Sequence, residues 1–154
     1  MPKIEWEIKT FDRLCIDELY ALLKLRVDVF VVEQNCVYPE LDEKDRHPDT
    51  LHLFGRNESR ELVAYLRILP PGLSFSRPGI GRVVVSKKNR GQGFCRIMVQ
   101  RAVDQAGRSW PGMGIKISAQ VYLEAFYQSY GFEKVSEPYL EDGIPHLEMV
   151  IEGN

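Results

Sequence analysis

Ile4, Trp6 and Ile8 alternate with Glu5, Glu7 and Lys9, a period of two that predicts a half-buried first strand. Ile16, Leu19, Tyr20, Leu23, Val27 and Phe30 then recur at steps of three and four, the spacing of an amphipathic helix of about four turns. Residues 33–50 show neither period. Long irregular segments inside compact domains are more often binding loops than spacers. Residues 51–56 and 62–69 read as two strands joined by a polar turn at Asn57-Glu58-Ser59-Arg60. Pro70-Pro71-Gly72 breaks the second, and Pro78-Gly79 closes the loop after it.

Ile80-Gly81-Arg82-Val83-Val84-Val85 is β-branched and apolar on both faces at its end, the pattern of a central strand. A helix is predicted over residues 91–109, its period marked by Ile97, Met98, Arg101, Ala102, Gln105 and Ala106. Trp110-Pro111-Gly112-Met113-Gly114 stops it. A short strand at 115–118 and a helix at 121–130 follow, the helix ended by Gly131. Residues 132–137 and 146–152 make a last hairpin. The order β-α-loop-β-β-β-α-β-α-β-β predicts a mixed α/β sandwich rather than a doubly wound sheet or a barrel. With no repeat or linker in 154 residues, the expectation is one domain over 1–154.

Composition narrows the function classes. Apolar residues make up 44% of the chain and charged residues 27%, as in globular proteins and unlike disordered ones. Lys and Arg number 20 against 22 Asp and Glu, so neither nucleic acid nor an anionic membrane is the expected partner. No apolar run approaches the ~20 residues of a membrane span, and Met1-Pro2-Lys3-Ile4-Glu5-Trp6 does not read as a signal peptide. Cys15, Cys36 and Cys95 form no C-x-x-C pair. Free thiols and a cytoplasmic location are expected, and no zinc site.

Chemistry concentrates after the central strand, at Ser86-Lys87-Lys88-Asn89-Arg90-Gly91-Gln92-Gly93-Phe94-Cys95. A strand that runs through a basic, glycine-containing turn into a helix exposes backbone N–H groups at the positive end of the helix dipole. That is a pyrophosphate cradle. Gly91 and Gly93 let the backbone approach a ligand with no Cβ in the way. On composition alone, an ordinary turn with a solvated basic corner stays open. The turn is not a Walker loop, because no Gly-Lys-Ser/Thr ends it.

The run from Arg90 to Cys95 resembles the R-x-x-G-x-G/A signature of the GNAT superfamily of N-acetyltransferases. Gln120-Val121-Tyr122-Leu123-Glu124-Ala125-Phe126-Tyr127-Gln128-Ser129-Tyr130-Gly131-Phe132 is similar to its second signature, a helix with a Tyr shortly before Gly-Phe. The element order matches that fold over nearly the whole chain. Residues 25–34 and 38–45 resemble the small bacterial ElaA-like branch. The resemblance implies an α/β fold of the GNAT (acyl-CoA N-acyltransferase) type, a mixed central sheet flanked by helices. It implies acetyl-CoA as acyl donor, an amine acceptor (a small molecule or a peptide) and no metal.

By the same resemblance Val83, Val84 and Val85 offer backbone groups to the pantetheine arm. Arg90, Gly91, Gln92, Gly93, Phe94 and Cys95 wrap the pyrophosphate, and Tyr127 is the general acid toward the departing sulfur. Two positions depart from the pattern. Cys95 stands where Gly or Ala is usual, and Gln120 where many members carry a pantetheine-binding Asn. A thiol in the first turn of a helix beside Lys87, Lys88 and Arg90 is expected to have a lowered pKa; a buried, inert cysteine is the alternative.

The acceptor side is less legible. Residues 33–50 carry Glu33, Glu40, Asp42, Glu43, Asp45 and Asp49 against Lys44 and Arg46. They form either an acidic lid that favours a cationic amine or a solvated loop. Arg26, Arg67 and Arg82 lie on otherwise apolar elements, where burial requires a partner; they either pair with the acidic loop and hold it on the sheet, which is the expectation, or line the acceptor pocket. His52 reads as a packed, hydrogen-bonded residue and Trp110 as a core plug. Direct attack of an amine on the thioester is the expected reaction, since no nucleophilic triad is present. Its rivals are a non-catalytic CoA-binding sensor and a relative of the acyl-homoserine-lactone synthases, which Glu40, Asp42 and Asp45 with Arg26, Phe30 and residues 66–70 resemble. A homodimer stays open.

Overall fold

A computed structural model describes residues 3–153. Met1, Pro2 and Asn154, at the ends of the 1–154 span, lie outside the described residues, and with them the first two residues of the segment tested as a signal peptide. The strands are β1 (Glu5–Thr10), β2 (Leu51–Arg56), β3 (Leu62–Leu69), β4 (Gly79–Val85), β5 (Ile115–Gln120), β6 (Glu133–Lys134), β7 (Tyr139–Glu141) and β8 (Ile144–Ile151). The helices are α1 (Ile16–Arg26), α2 (Phe94–Ser109) and α3 (Glu124–Gln128). The strands form one sheet in the order β1-β2-β3-β4-β5-β8-β6, with β7 also on β8. Its neighbours are antiparallel except β4 and β5, which run parallel with α2 crossing between them.

Each face of the sheet carries its own core. Leu53, Leu66, Ile68, Ile117, Leu147 and Met149 pack against Phe94, Met98, Val99, Ala102 and Ala106 of α2 and Tyr127 of α3. On the opposite face Phe54, Tyr65 and Val84 meet Leu22 and Leu25 of α1 and Val29 beyond it. Val83 and Val85 pack toward the α2 side while Val84 packs toward α1, which accounts for the apolar run on both faces of a central strand.

The first helix departs from the periodic reading. Ile16 and Tyr20 are 84% and 70% exposed, whereas Glu18, Leu22, Leu25 and Arg26 are buried. The inward stripe includes two charged residues, so counting only apolar positions rotates the helix. The α-helix stops at Arg26, and Val27–Glu33 continues as a wider π turn. Helix α2 begins at Phe94 rather than at 91, and it exposes Ile97 and Arg101. The helix expected over 121–130 is a 3₁₀ turn, Val121–Leu123, followed by a short α-helix. The last hairpin gains a strand. Asp142 and Gly143, at φ 50° and 78°, join β7 to β8. A two-residue Asp-Gly loop with both φ positive matches the strand twist.

The segment after α1 is held by charge. Arg26 is fully buried, and its Nε donates to Glu40 Oε1 at 2.6 Å and Nη1 to Asp45 Oδ1 at 2.7 Å. Arg67 donates to Asp42 Oδ2 at 2.6 Å and to Asp45 Oδ1 at 3.0 Å. Arg82 Nε donates to Glu40 Oε1 at 2.8 Å. Three arginines from the helix and the sheet thus face three carboxylates from the loop. Removing one partner of such a buried cluster costs ~3–5 kcal/mol, because a charge is left without compensation.

Candidate active site

β4 and β5 are paired only at Gly79 with Lys116 and Ile80 with Ile117. Beyond these pairs they part. The cause lies in β4, where the register to β3 slips: Tyr65 opposes Val84 and Arg67 opposes Gly81, leaving Leu66 opposite both Arg82 and Val83. That is a bulge, which bends a strand and sharpens its twist. Arg82 takes up the turn at φ 55°, a conformation uncommon for a residue with a Cβ. Its ion pair with Glu40 holds it there.

The parted strands bound a cleft of about 640 Å³, within the usual range for a small-molecule site. Val83, Val84 and Val85 line one wall, Ser118, Ala119 and Gln120 the other. Tyr127 reaches the cleft from α3 at 5% exposure. Burial, with Cys95 and Tyr122 nearby, pushes its phenol above the usual range. The hydroxyl therefore stays protonated across neutral pH.

The basic turn lies at the end of β4. Gly91 and Gly93 have φ of 79° and 82°, and a Cβ at either would point into open space. Both precede α2, so the turn and the first N–H groups of the helix, which have no acceptor one turn back, form one donor array. Among the expected site residues, Val83, Val84, Val85, Arg90, Gln120 and Tyr127 line the cleft. Gly91, Gln92 and Gly93 sit in the turn beside it. Phe94 and Cys95 instead turn inward, Phe94 buried and Cys95 packed against the α2-side core.

Two electrostatic expectations change. Cys95 is not activated: burial raises its thiol to about 11. Arg90 is engaged by protein, with Nε on the Val85 carbonyl at 3.0 Å and its two terminal nitrogens on Glu33 at 2.6 and 3.0 Å. Lys88 pairs with Glu61 at 2.8 Å. The acidic loop is spent as well. Glu33, Glu40, Asp42 and Asp45 all face arginines, so the loop is a strap held on the sheet rather than an open anionic lid. Burial would raise the Asp42 carboxyl, but hydrogen bonding to Arg67 and the charges of Arg67 and Arg82 hold it at about 2. His52 is buried with both nitrogens used, by the Tyr65 hydroxyl at 2.7 Å and the Asp45 carbonyl at 3.0 Å.

A bulge that parts two strands and a buried phenol bound one cleft, with a glycine turn at a helix start beside it. The family model described as an acetyltransferase (GNAT) domain matches residues 27–153. The chain belongs to the GNAT acetyltransferase family. It is 42% identical to ElaA of Escherichia coli strain K12 over 149 residues, 97% of each chain. The crystal structure of E. coli ElaA is similar at TM-score 0.91 and 41% identity, over 97% of this chain and 100% of that one. An acyl-CoA N-acyltransferase from Pseudomonas aeruginosa is similar at TM-score 0.91 and 45% identity, over 96% and 99% of the two chains. These likenesses put the chain in the ElaA-like branch of the GNAT family, whose members use acyl-CoA as donor. A CoA-dependent acyl-homoserine lactone synthase shares the fold alone, at TM-score 0.79 and 16% identity over 99% of this chain and 84% of that one.

Part of this GNAT cleft escaped the sequence reading. Ser118, Glu141, Asp142 and His146 line it as well, with Cys36 and Tyr38. The Asp142-Gly143 turn folds β7 back on β8, so that Tyr139 meets Ser118 in a hydrogen bond and stacks on His146, with ring centroids 6.4 Å apart. Asp-Gly between two apolar stretches was the available signal. Among the described residues, no helix is long and apolar enough to cross a membrane.

Proposed function

We propose that the chain is an acyl-CoA-dependent N-acyltransferase that moves acetyl from acetyl-CoA directly to an amine. The observation that carries this reading is the cleft where β4 and β5 part, with the glycine turn at one end and Tyr127 on its wall. Pantetheine binds along Val83, Val84 and Val85, flanked by Gln120, and the pyrophosphate rests on the turn from Arg90 to Cys95. The open space beyond Gly91 and Gly93 supports that fit. Cys95 does not crowd the turn, because its side chain packs inward.

The amine nitrogen attacks the thioester carbon, and strand amides near Val84 and Val85 stabilise the oxyanion. Tyr127 protonates the departing sulfur; burial keeps its hydroxyl protonated until the thiolate leaves. The chain acts as one unit over 1–154, and its three free thiols suit a cytoplasmic protein. Thermal shift with acetyl-CoA, followed by thiol release across an amine panel, tests this. At ~100 times its Kd the donor adds roughly 2.7 kcal/mol of apparent stability. A shift with no turnover on any amine would turn the reading to a CoA sensor, and no shift would refute both.

A further inference from the structure

We propose that His146 is the general base that takes the proton from the acceptor, a primary amine arriving as its ammonium at the mouth formed by Ser118, Glu141 and His146. The proposal rests on the acyltransferase reading above and adds a residue and a substrate class to it. His146 opposes Gln120 in the β5–β8 register, while Ala119 opposes the core residue Leu147. Directly opposed residues of an antiparallel pair share a face. The imidazole therefore stands with Gln120 on the side away from α2, and it lines the cleft. The donor turn opens α2, so donor and acceptor can approach the parted strands from opposite faces.

The imidazole is held in one orientation. It is 7% exposed, and Nδ1 lies 2.7 Å from the Ile144 carbonyl. A carbonyl only accepts, so Nδ1 carries the hydrogen and donates it, and Nε2 keeps its lone pair. Nε2 lies 3.5 Å from Glu141 Oε2, so a proton arriving there is met by a carboxylate. The groups facing it are Tyr139 of β7 stacked on the ring and Glu141 of β7, with Glu148 two residues on along its own strand and tied to Lys116 of β5 at 3.2 Å. Rival bases are occupied. His52 has no free nitrogen, and Glu33 and Asp42 are held by arginines.

The step balances. One ammonium proton moves to Nε2 and on to solvent. The freed nitrogen pair forms the N–C bond, and the C–S bond breaks with its pair going to sulfur. The nitrogen then loses a second proton, matching the one the sulfur gains, which leaves an amide and free CoA thiol.

Two measurements decide it. Nitrogen-15 NMR of the imidazoles in the intact protein reads the tautomer of His146 with no acceptor present; Nδ1–H is expected, whereas free histidine favours Nε2–H. Acetyl transfer to 2-phenylethylamine, at saturating acetyl-CoA, is expected to fall ~10²–10⁴-fold in His146→Gln. Added imidazole is expected to restore rate to His146→Gly. The acetyl-CoA thermal shift should be the same in wild type and both variants, which also shows that they fold. An Nε2–H tautomer, or undiminished turnover in His146→Gln, would overturn the role of His146 alone. A wild-type chain with no acetyl-CoA shift would overturn the donor reading, and this role with it.

Discussion

Tyr127 and Cys95 lie within one corner of the molecule, and burial acts oppositely on their usefulness. A phenol kept protonated can still donate, so Tyr127→Phe is expected to lower kcat ~10²–10⁴-fold. Acetyl-CoA binding should stay unchanged, since Phe keeps the ring packed at 5.2 Å from Phe126 and 5.7 Å from Phe132. Paired turnover and calorimetry on the same preparation check this. A thiol kept protonated is inert: with Cys95 raised to about 11 by burial, the exposed Cys15 should react with a maleimide first. Mass spectrometry of a time course reads the order. In the sequence Cys95 stands a few residues from Lys87, Lys88 and Arg90. The sequence could not show that the helix turns this side chain into the core, where desolvation alone sets the thiol's titration.

At the scale of the element, the turn before α2 depends on backbone that only glycine adopts easily. Gly93→Val puts a β-branched residue at φ 82°, a strain of ~1–3 kcal/mol. It is expected to abolish the acetyl-CoA thermal shift while lowering Tm modestly. A retained shift would remove the turn from the site. This element was legible, because glycines, basic residues and a β-branched strand stand in one run of sequence. Helix α1 was less so: its inward stripe carries Glu18 and Arg26, and their partners lie on the sheet and in the loop, far along the chain. The bulge at Arg82 was not legible at all, because a register slip depends on the strand next to it.

Over the whole molecule, charge ties the loop and α1 to the sheet, and that makes stability depend on pH. Burial would raise the Glu18 carboxyl, but hydrogen bonds from Lys9 and the Cys15 amide, with the charge of Arg56, bring it to about 2; Asp42 is also held at about 2. Unfolded carboxyls titrate near ~4, so the unfolded chain takes up protons first as pH falls. This stabilisation is therefore full above about pH 5 and is lost as pH drops toward about 2. Urea unfolding across that window should show it, with a shallower dependence in Glu18→Gln; parallel curves would contradict the assignment. The order of elements and the glycine turn before α2 were readable because both are local. The cleft lining at Ser118, Glu141 and His146 was not, since β5, β7 and β8 meet there only after folding.

The proposed acyl-donor site is one cleft, opened where β4 and β5 part. Hydrogen exchange with and without acetyl-CoA reads it directly. The account predicts slowed exchange at the amides of residues 91–96 and along the parted edges of β4 and β5, with β1 and β2 unchanged. Protection elsewhere, or none at saturating acetyl-CoA, would contradict it.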